Sequence, residues 1–209
     1  MKTITAIEPQ RKRSSRVNVF LDGVFAFGLE GEVAAGVGLR VGQALSQAQI
    51  EDIARTDVSQ RCYQAALRFL SYRPRSRKEV VDRLRRRGFD PETVEGVVGR
   101  LIEKGLLDDG AFARFWRESR ETFRPRSRRL MEQELRWKGV GAQTAEEALE
   151  GLDEEENAFR AGQKKARSLS ALDRQDFRKK LGDHLRRRGF SWVVTRRVVE
   201  RLWAQRRPG

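Results

Sequence analysis

The residues in this chain best suited to chemistry are arginines, and they recur in a fixed order. Leu84-Arg85-Arg86-Arg87-Gly88-Phe89, Leu135-Arg136-Trp137-Lys138-Gly139-Val140 and Leu185-Arg186-Arg187-Arg188-Gly189-Phe190 share one pattern, with their glycines 51 and 50 residues apart. A second basic segment keeps the same offset: Arg73-Pro74-Arg75-Ser76-Arg77 returns as Arg124-Pro125-Arg126-Ser127-Arg128. A guanidinium presents its donors in a planar fork that matches phosphate or carboxylate, so clustered arginines recognise anions rather than break bonds. The candidate partner-binding residues are therefore Arg73, Arg75, Arg77, Arg85, Arg86, Arg87, Arg124, Arg126, Arg128, Arg136, Trp137, Lys138, Arg186, Arg187 and Arg188. Trp137 stands where the other two copies have arginine, so it is expected to face solvent.

Bond-making chemistry lacks its usual residues. His184 is the only histidine and Cys62 the only cysteine, which leaves no catalytic triad, no histidine metal pair and no zinc knuckle. The glycine-rich stretch from Gly31 to Gly42 has neither the lysine nor the strand-loop-helix setting of a phosphate loop. Acidic runs at 108–109 and 153–156 stand where helices begin, and there they complement the positive end of the helix dipole. No catalytic residue, cofactor or metal ligand is expected, and Cys62 reads as a small apolar helix residue. Of the four tryptophans, Trp116, Trp192 and Trp203 are expected in the core.

A period near 50 residues signals an array of structural repeats, each burying its apolar face against its neighbours. The glycines explain their own positions. At the residue after a helix C-cap the backbone turns left-handed, which suits glycine, and the next residue packs back on the helix. That rule pairs Phe89 with Leu84, Val140 with Leu135 and Phe190 with Leu185. Upstream, Ser76 and Ser127 are N-cap candidates, Ser76 with Glu79 at capping-box spacing. Prolines 74 and 125 keep the preceding arginines out of helix, on loops. Downstream, Asp90-Pro91 and Ser191 open further helices. A third helix opens each repeat, over 63–72, 111–122 and 158–169.

The first sixty residues differ. Val17 to Leu21 and Val24 to Phe27 flank Asp22-Gly23, a strong hairpin signal, and 3–7 alternates as a third strand. Residues 30–55 read as helical, with a turn at 41–43 and Ser46 an N-cap candidate. The fold class expected is mainly α: three tandem three-helix repeats with a small N-terminal β-hairpin cap. The expected domains are 1–59 for the cap, then 60–106, 107–152 and 153–209 for the repeats.

The net charge of +14 is uneven. Residues 1–60 hold seven basic and seven acidic side chains, whereas 61–209 hold 37 and 23. A basic array expects a polyanionic partner, either nucleic acid or an acidic protein surface. No run of apolar residues is long enough to span a membrane, residues 1–10 hold no secretory apolar segment, and the single cysteine fits a reducing cytosol, so a cytoplasmic protein is expected, and it is expected to be a monomer.

The segment Leu70 to Val80 within Tyr63 to Gly88, the Gly105-Leu106-Leu107-Asp108-Asp109 entry followed by Ala111-Phe112-Ala113, and Val19 to Gly23 with Phe25 to Gly28 together resemble the RecX regulators of bacterial RecA recombinase. The resemblance covers nearly the whole chain. It implies tandem three-helix repeats that bind the RecA–DNA filament and modulate, usually inhibit, its ATPase and strand exchange in recombination, repair and the SOS response. The third repeat departs from the pattern, with no Pro-Arg-Ser-Arg segment and a longer stretch from Ser168 to Asp176. The alternative reading is a general basic nucleic-acid-binding helical repeat protein without recombinase specificity, and direct contact with single- or double-stranded DNA is left open by both.

Overall fold

The computed structural model describes residues 1–10 and 13–206. The chain forms two compact units: Met1–Arg73 with Val80–Leu106, and Pro74–Glu79 with Leu107–Gly209.

The first unit opens with β1 (Lys2–Gln10), β2 (Arg13–Leu21) and β3 (Val24–Glu30), all antiparallel neighbours. Asp22 and Gly23 both take positive φ, 50° and 81°, as a two-residue hairpin turn of matching twist requires. Helix α1 (Gly31–Val37) follows, and then a strand the sequence did not announce, β4 (Ala44–Leu45), which pairs with β1 and gives the order β3-β2-β1-β4. Two residues are too few to show an alternating pattern. Ile4, Val19, Leu29 and Leu45 are buried beneath Val33 and Ile53.

Ser46 and Gln49 close a reciprocal capping box at the start of α2 (Gln47–Leu70). Two helices were expected here, one after Ser46 and one over 63–72. They are a single helix of 24 residues, because nothing between Arg55 and Tyr63 is glycine or proline. Buried Asp57 anchors it midway, accepting from the Glu30 amide at 2.7 Å and from Arg16 Nη2 at 3.4 Å. Helix α4 (Pro91–Glu103) packs on α2, and α3 (Arg77–Arg85) precedes it. Asp90 caps α4 through the Thr93 amide, with Pro91 at the first helical position.

The second unit holds α5 (Asp109–Phe123), α6 (Arg128–Trp137), α7 (Ala142–Ala148), α8 (Glu154–Arg167), α9 (Arg174–Arg187) and α10 (Trp192–Ala204). Phe112, Met131, Leu135 and Leu149 form one core, and Phe177, Leu181, Leu185 and Val198 another. Each such side chain contributes about 1.5–3 kcal/mol of hydrophobic stabilisation. The acidic runs lie at helix starts, where Asp108 accepts from the Gly110 amide and Asp153 from the Glu156 amide.

Each repeat helix that carries a basic triplet ends as its glycine demands. Gly88, Gly139 and Gly189 have φ of 86°, 82° and 88°. The following amides reach back to the carbonyls of Leu84, Leu135 and Leu185 at 3.4, 3.0 and 3.3 Å, and the glycine amides bond Arg85, Arg136 and Arg186. That is the two-bond Schellman pattern in all three copies. Among the described residues no helix is long and apolar enough to cross a membrane.

Candidate partner-binding surface

The two recurring basic motifs meet each other. In the second unit, Ser76 Oγ donates to the Lys138 carbonyl at 2.6 Å while accepting from the Glu79 amide at 3.2 Å. Lys138 Nζ reaches Glu79 Oε1 at 2.7 Å. One period later the Ser127 amide donates to the Arg188 carbonyl at 3.0 Å, and Arg188 Nη1 donates to the Pro125 carbonyl at 3.1 Å. Each Arg-Pro-Arg-Ser-Arg segment is thus the seat for the next repeat's glycine stop. Both serines are 0 % exposed, so their polar groups need these partners.

This pairing sorts the candidate residues. Lys138 and Arg188, third in their triplets, are half-buried in the seats, whereas Arg136, Trp137, Arg186 and Arg187 are exposed, Trp137 at 71 %. In the first unit Arg85, Arg86 and Arg87 are all exposed, and Arg85 lies 3.8 Å from Glu95. Of the proline segments, Arg77 and Arg124 are exposed, while Arg73, Arg75, Arg126 and Arg128 are half-buried. Arg128 pairs with Glu132 at 3.0 Å, one turn along α6.

Arg126 has an internal role. It holds Glu134 Oε1 at 2.6 Å, while Glu134 Oε2 accepts from Arg120 Nε at 2.7 Å and Trp116 Nε1 at 2.8 Å. Glu134 is 7 % exposed, a buried carboxylate fully engaged by three donors. Nothing in the helical period marks it, since the same repeat position holds Arg83 and His184. At that position in the third repeat, Arg188 Nε donates to His184 Nε2 at 3.0 Å. Burial and the Arg188 charge hold the His184 pKa below its ordinary value. Burial, with Arg126 and Arg124 nearby, likewise lowers that of Arg188. Cys62 is fully buried, and burial with the Asp90 charge pushes its thiol pKa up to about 11, so it is a poor nucleophile.

Trp192 corrects an expectation. It is 63 % exposed at the start of α10 and not in the core. The repeat register carried the signal, for the equivalent positions are Pro91 and Ala142, both on the surface. Trp116 is half-buried against Phe112, and Trp203 against Phe177.

Comparison with known proteins fits this architecture. The regulatory protein RecX N-terminal domain matches residues 2–46. The first, second and third three-helix domains of RecX match 62–101, 108–149 and 153–199. Regulatory protein RecX of Bacillus subtilis (strain 168) is 30 % identical over 205 residues, covering 97 % of this chain and 78 % of its own. The chain belongs to the RecX family. Regulatory protein RecX of Chlorobium limicola is 39 % identical over 138 residues, covering 66 % of this chain and 87 % of its own. A crystal structure of regulatory protein RecX superposes with a TM-score of 0.74 at 28 % identity, over 96 % of this chain and all of that one. RecX from Lactobacillus salivarius gives 0.61 at 25 % identity, over 71 % and 99 %. This is accordingly a RecX-type regulatory protein, mainly helical with three three-helix domains and a small N-terminal sheet.

Proposed function

We propose that the chain binds RecA filaments on DNA in the cytoplasm and lowers their ATPase and strand exchange, without hydrolysing ATP itself. Membership of a family of RecX regulators supports the regulatory role. The observation that carries the reading further is the division of labour within the triplets. Lys138 and Arg188 are drawn into the joints of the protein, while Arg85, Arg86, Arg136, Arg186 and Arg187 remain on the surface at equivalent places. Equivalent cations on successive units suit a partner that itself repeats, as a filament does.

Acidic protein surface is the counterpart assigned to the triplets. Carboxylates are interspersed among them, Asp82, Glu95 and Asp183 included, and a continuous phosphate track would exclude these more strictly. Occupying the filament groove as a monomer, the protein would bridge protomers and resist the conformational cycling that hydrolysis needs. The test is a titration of the purified protein into RecA assembled on single-stranded DNA. ATP hydrolysis should fall at concentrations well below that of RecA. Unchanged hydrolysis and strand exchange over a wide range would remove the regulator reading.

A further inference from the structure

The third repeat carries a groove lined by residues that differ from those at the same places in the other two, and the repeats serve as one another's controls. The groove, of about 340 Å³, lies between α9 and α10. Arg178, Lys179 and Arg186 line it from α9, and Trp192 and Arg196 from α10. Gly182 and Thr195 are its small floor, where a Cβ on Gly182 would lie 3.8 Å from the Thr195 methyl. Arg178, Gly182 and Arg186 are spaced four apart and Trp192 and Arg196 likewise, so each set forms one ridge of its helix.

At four of these positions the third repeat differs from both others, Thr195 among them in place of Val94 and Ala145. Gly182 stands where they have Val81 and Glu132, Trp192 where they have Pro91 and Ala142, and Arg196 where they have Glu95 and Glu146. The consequences are visible. In the first repeat Glu95 faces Arg85 at 3.8 Å, and in the second Glu132 pairs with Arg128 at 3.0 Å. In the third both acidic positions are gone. The floor is opened by a glycine, an aromatic face is added, and Arg196 sits over that face at 5.4 Å from the ring centroid. The one carboxylate lining the groove, Glu200, pairs with Arg178 and Arg174, both at 3.0 Å. Lys179, Arg186 and Arg196 line the groove with the indole, and only Arg186 has a carboxylate partner among the described residues, Asp183.

We infer that this groove binds single-stranded nucleic acid, with an unpaired base stacked on Trp192 and the flanking phosphates held by Lys179 and Arg196, which lie outside the triplet. Cations alone would serve any polyanion. The exposed indole at the edge of this groove makes the occupant a strand whose bases are free to stack, because duplex bases present only their edges. The inference does not depend on recognition of RecA, since the strand is bound directly.

The test is fluorescence anisotropy of the full chain with a labelled oligothymidylate, compared with a duplex of equal length. The strand should bind more tightly than the duplex. Trp192→Ala should lower strand affinity about 5- to 100-fold, in keeping with the worth of one base–aromatic stack, and Trp192→Phe should restore most of it. Arg196→Glu, which restores the residue type of the other repeats, should weaken binding and reduce the salt slope by about 0.7. Both sites are exposed on the helix surface, so an unchanged circular-dichroism melt ties any loss to the groove. The inference is overturned if the strand does not bind at low salt, or if Trp192→Ala leaves strand affinity unchanged. It is also overturned if the variants weaken binding to an acidic peptide or RecA filament while sparing bare strand. A protein that fails on bare strand yet still lowers filament ATPase overturns the groove alone, leaving the regulator reading intact.

Discussion

The hydroxyl of Ser76 donates to the carbonyl of Lys138 at 2.6 Å, across 62 residues of sequence. The same oxygen accepts from the Glu79 amide, so a single buried side chain caps one helix and seats the end of another. Removing it leaves the Lys138 carbonyl without a donor and the helix without its cap. Ser76→Ala should therefore cost about 2–3 kcal/mol, the sum of an N-cap loss and an unsatisfied buried carbonyl, read from denaturant midpoints. Ser76→Thr should keep most of the stability. A cost under about 0.5 kcal/mol would mean that the joint is held by packing alone.

The glycine stops should not respond alike. A Cβ at Gly88 meets nothing within 4 Å, whereas at Gly139 it would lie 2.6 Å from Lys78 Cβ and at Gly189 2.5 Å from Leu130 Cγ. All three carry the left-handed strain, about 1–2 kcal/mol for alanine. Only the latter two must also displace the seat of the preceding repeat. Gly139→Ala and Gly189→Ala should thus lower the thermal midpoint further than Gly88→Ala. Equal shifts at the three positions would show that the seats yield freely.

The stops, the serine caps and the helical faces were legible because each is a local rule of short range, repeated three times. The hairpin at Asp22-Gly23 was legible for the same reason. What the pattern could not disclose was that one basic motif is the socket for the other. Lys138 and Arg136 read alike as cations in a triplet, yet one turns into a joint and the other to solvent, a distinction made by contacts some 60 residues apart. Glu134 was equally hidden, since its partners Trp116, Arg120 and Arg126 come from another helix and a loop. Trp192 was misplaced because its residue type was weighed above its repeat register.

Glu134 makes that hidden network testable. Glu134→Ala leaves Arg120 and Arg126 facing one another and deprives the Trp116 indole of its acceptor. The loss of a buried, multiply bonded carboxylate should cost about 3 kcal/mol. Glu134→Gln, which keeps the shape and acceptors for two of the three donors, should cost roughly half as much. Urea denaturation of the two variants checks the order, and a silent Glu134→Ala would show that the arginines find solvent or other partners without penalty.

His184 sets a pH dependence with a definite sign. Its pKa is lowered in the folded chain by burial, by Arg188 and by the neighbouring charges of Arg187 and Lys165, against a smaller opposing effect of the Ala161 carbonyl. The unfolded histidine titrates near 6.5. Above that value neither state is protonated and His184 contributes nothing to the pH dependence. As pH falls through about 6.5 the unfolded chain takes up the proton first, and stability declines until the folded pKa is reached. The decline between pH 7.5 and 5 should be shallower in His184→Gln than in the parent, measured by denaturant midpoints at each pH. Parallel curves would place the ring in a setting that tolerates its charge.

Replacing Arg85, Arg86 and Arg87 with alanine separates the two kinds of partner. All three are exposed, and at Arg85, the one that lies within α3, alanine is as good a helix former, so the fold should be retained. If the triplet neutralised phosphates, bare-strand affinity would fall and its dependence on log salt would flatten by up to about two units, at roughly 0.7 per contact. If the triplet meets acidic protein surface, the variant should bind bare strand as before and lose affinity only for the RecA filament. The second outcome is expected, because Glu95 lies 3.8 Å from Arg85 and Asp82 stands one helical turn before Arg86, and both would repel a phosphate track, while a carboxylate partner can be placed between them. Co-sedimentation with filaments alongside anisotropy on bare strand reads both affinities from one preparation. Equal losses in the two assays would move the triplet to nucleic acid and leave the filament contact to other residues.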